Sequence, residues 1–306
     1  MAGCGSPDDG GMISILFAVL TAISNGTASV LQRRAAAEAP EEAALHLSLL
    51  RDLLRRPVWL GGIAMSMVAA VCQAVALATG PIAVVQPIFV IELPFTLLLG
   101  GLLFHRSFPR AVWLAVVQVG GGLALFLLAA APSGGDEAVS PGSWFPALLA
   151  SGAFLAVTLG IGLKVHGNAR AAALGLAAAC GYALTAALMK DAMARLNEGG
   201  AGALFTSWQL YATAAIGAGS LFVLQNALQA GSLAASQPML SIGDALISTC
   251  YGVTLFAETL RTGWWLLPQL AALALVLFGC LSLSRSPLAD GLAGGPPVDA
   301  DTAARV

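Results

Sequence analysis

Residues 76–87 read ALATGPIAVVQP, and residues 227–238 read ALQAGSLAASQP. The two align without a gap at an offset of 151. Six of twelve positions are identical: Ala76/Ala227, Leu77/Leu228, Gly80/Gly231, Ala83/Ala234, Gln86/Gln237 and Pro87/Pro238. In each copy a glycine-containing turn ends one apolar stretch and a Gln-Pro step interrupts the next. Soon after that step each copy places one acid in hydrophobic sequence, Glu92 in the first and Asp244 in the second. A repeat with a proline-interrupted span and an intramembrane acid in each half is the layout expected of a secondary transporter.

The composition agrees. Hydrophobic residues make up 58% of the 306 residues and charged residues only 10%, against roughly 25% charged in soluble domains. With no alternating ten-residue pattern, the chain reads as an all-α polytopic membrane protein rather than a barrel. Cys72, Cys180, Cys250 and Cys280 lie in apolar stretches and read as small core side chains.

Working outward from the repeat, nine spans are expected: 12–32, 57–78, 81–104, 110–131, 145–163, 171–190, 203–225, 230–256 and 264–284. Residues 1–11 form a polar tail and 285–306 a Gly/Pro/Ala-rich tail, both expected to be disordered. Residues 40–56 carry leucines on one face beside Arg51, Asp52, Arg55 and Arg56, the pattern of an interfacial amphipathic helix. The first membrane repeat covers 12–131. A polar linker, 132–143, and a connecting helix, 144–165, lead to the second repeat, 171–284. An odd number of crossings separates the first and sixth spans, so the repeats are expected to be inverted four-helix units joined by the extra helix. An outside N-terminus puts eleven Lys and Arg on the cytoplasmic face and three, Lys190, Arg195 and Arg261, on the other. This predicts a cytoplasmic C-terminus in the cell membrane. Trp59, Trp113, Trp144, Trp264 and Trp265 lie near span ends as interface anchors would, with Trp208 deeper.

Glu92 and Asp244 sit near the centres of their spans, where a lipid-facing charge costs roughly 2.5–3.5 kcal/mol or more. Both should therefore face protein, as a pair able to take up a proton or cation. Gln237, Ser241, Asp244, Ser248 and Tyr251 fall on one helical face, a polar stripe fit to line a cavity. Gln86, Asn25 and Gln73 join them as candidate substrate or coupling-ion residues. Ser14, Thr21, Asn25 and Gln32 share a face of the first span; Gln209, Thr213 and Ser220 recur in the seventh. Such residues also glue membrane helices together. Pro87, Pro94 and Pro238 remove backbone donors and are candidate helix breaks that free carbonyls. The sequence contains no phosphate-binding loop, metal-ligand motif or nucleophile–base pair, so neither an enzyme nor a cofactor is expected, and no nucleic-acid partner. A homodimer is left open.

With these features in place, the chain resembles the drug/metabolite transporter (EamA-like) superfamily, nearest its NIPA-type magnesium transporters. The resemblance runs over about residues 12–284. It rests on the nine spans, the extra span ahead of ALGLAAACGYALTAALMKD (173–191), the two hairpins, and LFAE at Leu255–Glu258. It implies the inverted-repeat fold, secondary transport, and Glu258 as the acid closing its helix. The first-half counterpart of Glu258 falls near His105-Arg106, which is basic, and Gln86 and Gln237 stand where small residues are usual before the hairpin proline. The leading expectation is a transporter of a small polar solute or metabolite, proton-coupled at Glu92 and Asp244. The alternative is a magnesium or other divalent-cation transporter, with Glu92, Asp244 and Glu258 as cation ligands. A third, a non-transporting membrane scaffold, is opposed by the acids and the repeat.

Overall fold

The computed structural model describes residues 7–37, 57–103, 109–231 and 233–285. The helices are α1 (Pro7–Ala37), α2 (Pro57–Thr79), α3 (Ile82–Ile88), α4 (Glu92–Leu103), α5 (Arg110–Ala130), α6 (Pro141–Lys164), α7 (Gly167–Thr206), α8 (Trp208–Ala230), α9 (Leu233–Leu255) and α10 (Leu266–Ser284). Short 3-10 turns, Phe89–Ile91 and Gly263–Trp265, join α3 to α4 and lead into α10.

Among the described residues seven stretches are long and apolar enough to cross a bilayer: 11–32, 57–79, 82–103, 110–130, 142–164, 167–206 and 263–284. Of the nine spans expected, α8 and α9 have the length, 23 residues each, but carry polar side chains along it. Large apolar side chains such as Leu149, Val157 and Leu163 stand exposed on α6. That is far more exposed apolar surface than water tolerates, and it is the surface lipid requires.

Several boundaries differ from the sequence reading. Helix α1 reaches back to Pro7, into the expected tail; the fixed φ of proline suits a first helical position. The expected interfacial helix, 40–56, lies outside the described residues, as do 1–6 and 286–306. The third span is not continuous: α3 ends one residue after Pro87, a 3-10 turn follows, and α4 restarts with Pro94 in its first turn, where no donor is needed. Pro238 is no break. It lies in the sixth position of an unbroken α9, early enough that only one hydrogen bond is lost. The sixth span runs far past 190, so that Lys190 and Asp191 lie inside α7 and are buried. It breaks at Gly200, whose φ of 68° and ψ of −166° leave the helix.

The linker is not loose either. Ser133 pairs with Thr259 as an isolated bridge, the Asp136 N–H donates to the Phe256 carbonyl, and the Arg261 N–H donates to the Ala130 carbonyl. We call this end of the bundle the linker side. Arg110, Lys164, Arg170 and Arg285 mark the opposite ends of their helices, the arginine side.

Helix α1 packs along α2, α7 against α8 and α9, and α5 against α10, with α6 outside α7. The α5–α10 crossing is reciprocal. A Cβ on Gly122 would meet Val276 Cγ2 at 2.8 Å and the Ala272 carbonyl at 3.0 Å; one on Gly279 would meet Val119 Cγ2 at 2.7 Å and the Ala115 carbonyl at 3.0 Å. Each helix offers the same Ala-x3-Val-x2-Gly pattern to the other, running antiparallel. The largest buried cluster joins Ala18, Leu77, Ile82, Val85 and Ile88 to Leu184, Leu188, Tyr251 and Phe256.

Candidate functional site

Asn25 (α1), Glu92 (the first residue of α4), Tyr182 (α7) and Asp244 (α9) converge at mid-depth. The Asn25 amide Nδ2 donates to Glu92 Oε2 at 3.4 Å. Ser248 Oγ, one turn beyond Asp244, donates to Asp244 Oδ1 at 3.3 Å. The Glu92 and Asp244 carboxylates interact electrostatically, and the Tyr182 hydroxyl is close enough to feel both. Asn25, Glu92 and Asp244 are all half-buried. Local sequence explains the approach. Gly26 lets α1 lie against Phe95 and Thr96 of α4, which brings Asn25 to Glu92. On the other side Gly243 seats α9 on Leu176 and Ala179 of α7, which holds Asp244 near Tyr182. Two acids distant in sequence, one from each expected repeat, thus share one site, and a cation or proton is what such a site would hold.

The remaining expected residues divide. Ser241 and Gln237 are half-buried on the stretch of α9 leading to Asp244, and Gln73 is half-buried on α2. Gln86 is buried in α3, and among the described residues its amide nitrogen has no hydrogen-bond partner. Tyr251 leaves the stripe: its hydroxyl meets Ser151 Oγ on α6 at 2.6 Å, because α6, packed beside α7, offers that hydroxyl at this level. Thr21 and Gln32 serve α1–α2 packing, bonding to the Ala69 carbonyl and to Ser66. Pro87, Pro94 and Pro238 are all buried. Cys250 is exposed, unlike the other three cysteines of the spans.

Glu258 lies away from the acid pair, at the linker side, and as a cation ligand it is already occupied. Its Oε1 accepts from the Ile82 N–H at 2.6 Å and from Lys190 Nζ at 2.8 Å; its Oε2 accepts from the Ala83 N–H at 2.9 Å. Lys190 also donates to the Gly80 carbonyl at 3.2 Å and sits 4.7 Å from the centre of the Phe256 ring. Next to it, Asp191 is fully buried and accepts from the Val139 N–H, Trp144 Nε1 and Gln209 Nε2. Trp144 is therefore no lipid anchor: its indole N–H needs this carboxylate, and its ring meets Trp208 edge-on at 5.5 Å. The sequence reading missed Tyr182, Lys190 and Asp191. The signal was present in Met-Lys-Asp at the end of an apolar run, where a charge pair that could have stayed in a loop is instead carried inside a helix.

No family model and no solved structure matches the chain. It is similar to an uncharacterized protein of Corynebacterium glutamicum, with 26% identity over 278 residues, which is 90% of this chain and 96% of the relative.

Proposed function

We propose that this multi-pass membrane protein is a secondary transporter of the drug/metabolite transporter type, built as two inverted four-helix repeats around an extra helix, α6. It moves a small polar solute in exchange or symport with protons at Glu92 and Asp244, from a cell membrane in which the N-terminus lies outside and the C-terminus in the cytoplasm. The observation that carries this reading is the meeting of Glu92 and Asp244, each following a Gln-Pro hairpin, at one half-buried site. The pairing of helices supports the repeat: α1 with α2 matches α7 with α8, and α5 crosses its expected counterpart α10 reciprocally. Inverted repeats of this kind give alternating access by rocking one unit against the other.

A divalent-cation transporter is the second reading, and the same carboxylate pair favours it. Magnesium keeps most of its waters and needs only one or two carboxylates along its path. Against a dedicated metal cage, no group of three or more His, Cys, Asp or Glu converges among the described residues.

Proteoliposomes with an imposed pH gradient decide between them. A solute from a panel of amines, amino acids and sugars that collapses the gradient, with the response lost in Asp244→Asn and Glu92→Gln, is the expected result. Mg²⁺ entry indifferent to the gradient supports the cation reading instead. Flux that survives both substitutions removes the two acids from the mechanism.

A further inference from the structure

We infer that Lys190 and Glu258 form a latch that seals the linker side of the molecule, so that the site at Glu92 and Asp244 opens toward the arginine side. The inference rests on the transport reading for its purpose, but not for its geometry.

Two independent observations place the seal. The first is the distribution of packing along the helices that hold the site. Ala18 of α1, Ile82, Val85 and Ile88 of α3, Leu184 and Leu188 of α7, and Tyr251 and Leu255 of α9 are buried in one cluster. All lie on the linker side of Asn25, Glu92, Tyr182 and Asp244 along the chain, and they fill the space between the two expected repeats. On the arginine side α4 and α9 diverge, while the repeats stay joined through α4, α5 and α10, where Leu97, Val112, Cys280 and Leu283 are buried in one cluster. Helix α9 lies against α3 and the 3-10 turn, whereas α4, leaving that turn, packs on α1 and α10. The break at 89–91 is where the third span turns away from α9.

The second observation is the latch itself. Glu258 and Lys190 belong to the second repeat; Gly80, Ile82 and Ala83 belong to the first. Three hydrogen bonds cross between them: Ile82 N–H and Ala83 N–H to the Glu258 carboxylate, and Lys190 to the Gly80 carbonyl. The first two also satisfy orphan donors at the start of α3. Glycine is required beneath it: a Cβ on Gly252 would run into the Glu258 carboxylate, and one on Gly135 would meet Glu258 Cγ at 2.7 Å. Opening this side must separate Glu258 and Lys190 from the α2–α3 turn, and a buried charge stripped of its partners costs several kcal/mol unless water reaches it. On the opposite side the sequence offers no equivalent acid. The corresponding segment of the first repeat, residues 104–109, reads FHRSFP and contains no acid to cap the 231–234 hairpin. The latch therefore biases the protein toward one of its two access states rather than serving both equally.

The test is thiol accessibility in membrane vesicles, using the full chain with its five cysteines replaced by alanine. A single cysteine is placed at Val85, in the seal, or at Ser241, on the arginine side of Asp244. A membrane-impermeant maleimide is then applied from each face. We expect Ser241→Cys to label from the arginine side and Val85→Cys to resist from both. Adding Lys190→Gln and Glu258→Gln together, which keeps hydrogen-bonding groups but removes both charges, should raise labelling of Val85→Cys from the linker side about tenfold and lower that of Ser241→Cys. The neutral pair guards against misfolding, and an unchanged elution volume in detergent verifies it. Unchanged labelling of Val85→Cys in that folded variant overturns the proposal, as does a Val85→Cys that already labels from the linker side. A shift in labelling without any solute flux would uphold the latch and sink the transport reading; flux that depends on Asp244, with labelling unchanged, would do the reverse.

Discussion

Five side chains carry most of the chemistry, and they fall into two groups with opposite needs. Glu92 and Asp244 keep unfilled hydrogen-bonding capacity: among the described residues each has one hydrogen-bond partner, Asn25 and Ser248, at 3.3–3.4 Å. Glu258 and Asp191 each accept three hydrogen bonds, and Lys190 makes two besides its contact with the Phe256 ring. Substitutions should therefore separate. Lys190→Ala strands a buried carboxylate and should cost about 3–5 kcal/mol, seen as a large fall in Tm in detergent. Asp191→Ala leaves the donors of Trp144, Gln209 and Val139 unmet and should destabilise by roughly 1–3 kcal/mol for each group left unpaired. Tyr182→Phe should leave Tm within a few degrees yet weaken solute binding roughly tenfold, if its hydroxyl contributes one hydrogen bond to a bound polar solute; an unchanged apparent KM would take Tyr182 out of the site.

At the scale of the element, the third span matters most. The sequence marked it as interrupted, through Pro87 and Pro94, but not how. Proline removes a donor wherever it stands, and the consequence depends on its place in the helix. Pro94 falls in a first turn and Pro238 in the sixth position of α9, so neither breaks a helix; Pro87, near the end of α3, precedes the 3-10 turn. Pro87→Ala should let α3 run on into α4 and draw it toward α9, closing the arginine side. The expected outcome is unchanged or higher Tm with flux reduced about tenfold; undiminished flux would show that the break is not needed for access. The polar stripe of α9 shows the same dependence on context. Periodicity put Tyr251 in line with Asp244, but α6 packs beside α7 there and offers Ser151.

At the scale of the whole molecule, the reciprocal crossing of α5 and α10 offers a direct measure of the repeat. Val119→Cys with Gly279→Cys, and Gly122→Cys with Val276→Cys, should cross-link on oxidation with similar yields, because each pair is the image of the other; a yield from only one pair would deny the symmetry. The offset between equivalent residues is 151 at the hairpins and 157 from Gly122 to Gly279, the extra residues falling in the longer connection 256–265 that carries Glu258.

The sequence by itself determined the solvent this chain folds in, the helical class, most helix positions, and the two acids. These follow from local quantities: mean hydropathy, the length of apolar runs, and the cost of a charge in lipid. Tertiary structure decided what those local quantities leave equal. Gly26 and Gly243 set which helices come close enough to bring Asn25 to Glu92 and Asp244 to Tyr182. A carboxylate reads the same in sequence whether its lone pairs are free or filled. Only packing distinguished Glu92 and Asp244, each meeting one side-chain donor at 3.3–3.4 Å, from Glu258, closed around by a lysine and two backbone amides 175 and 176 residues away.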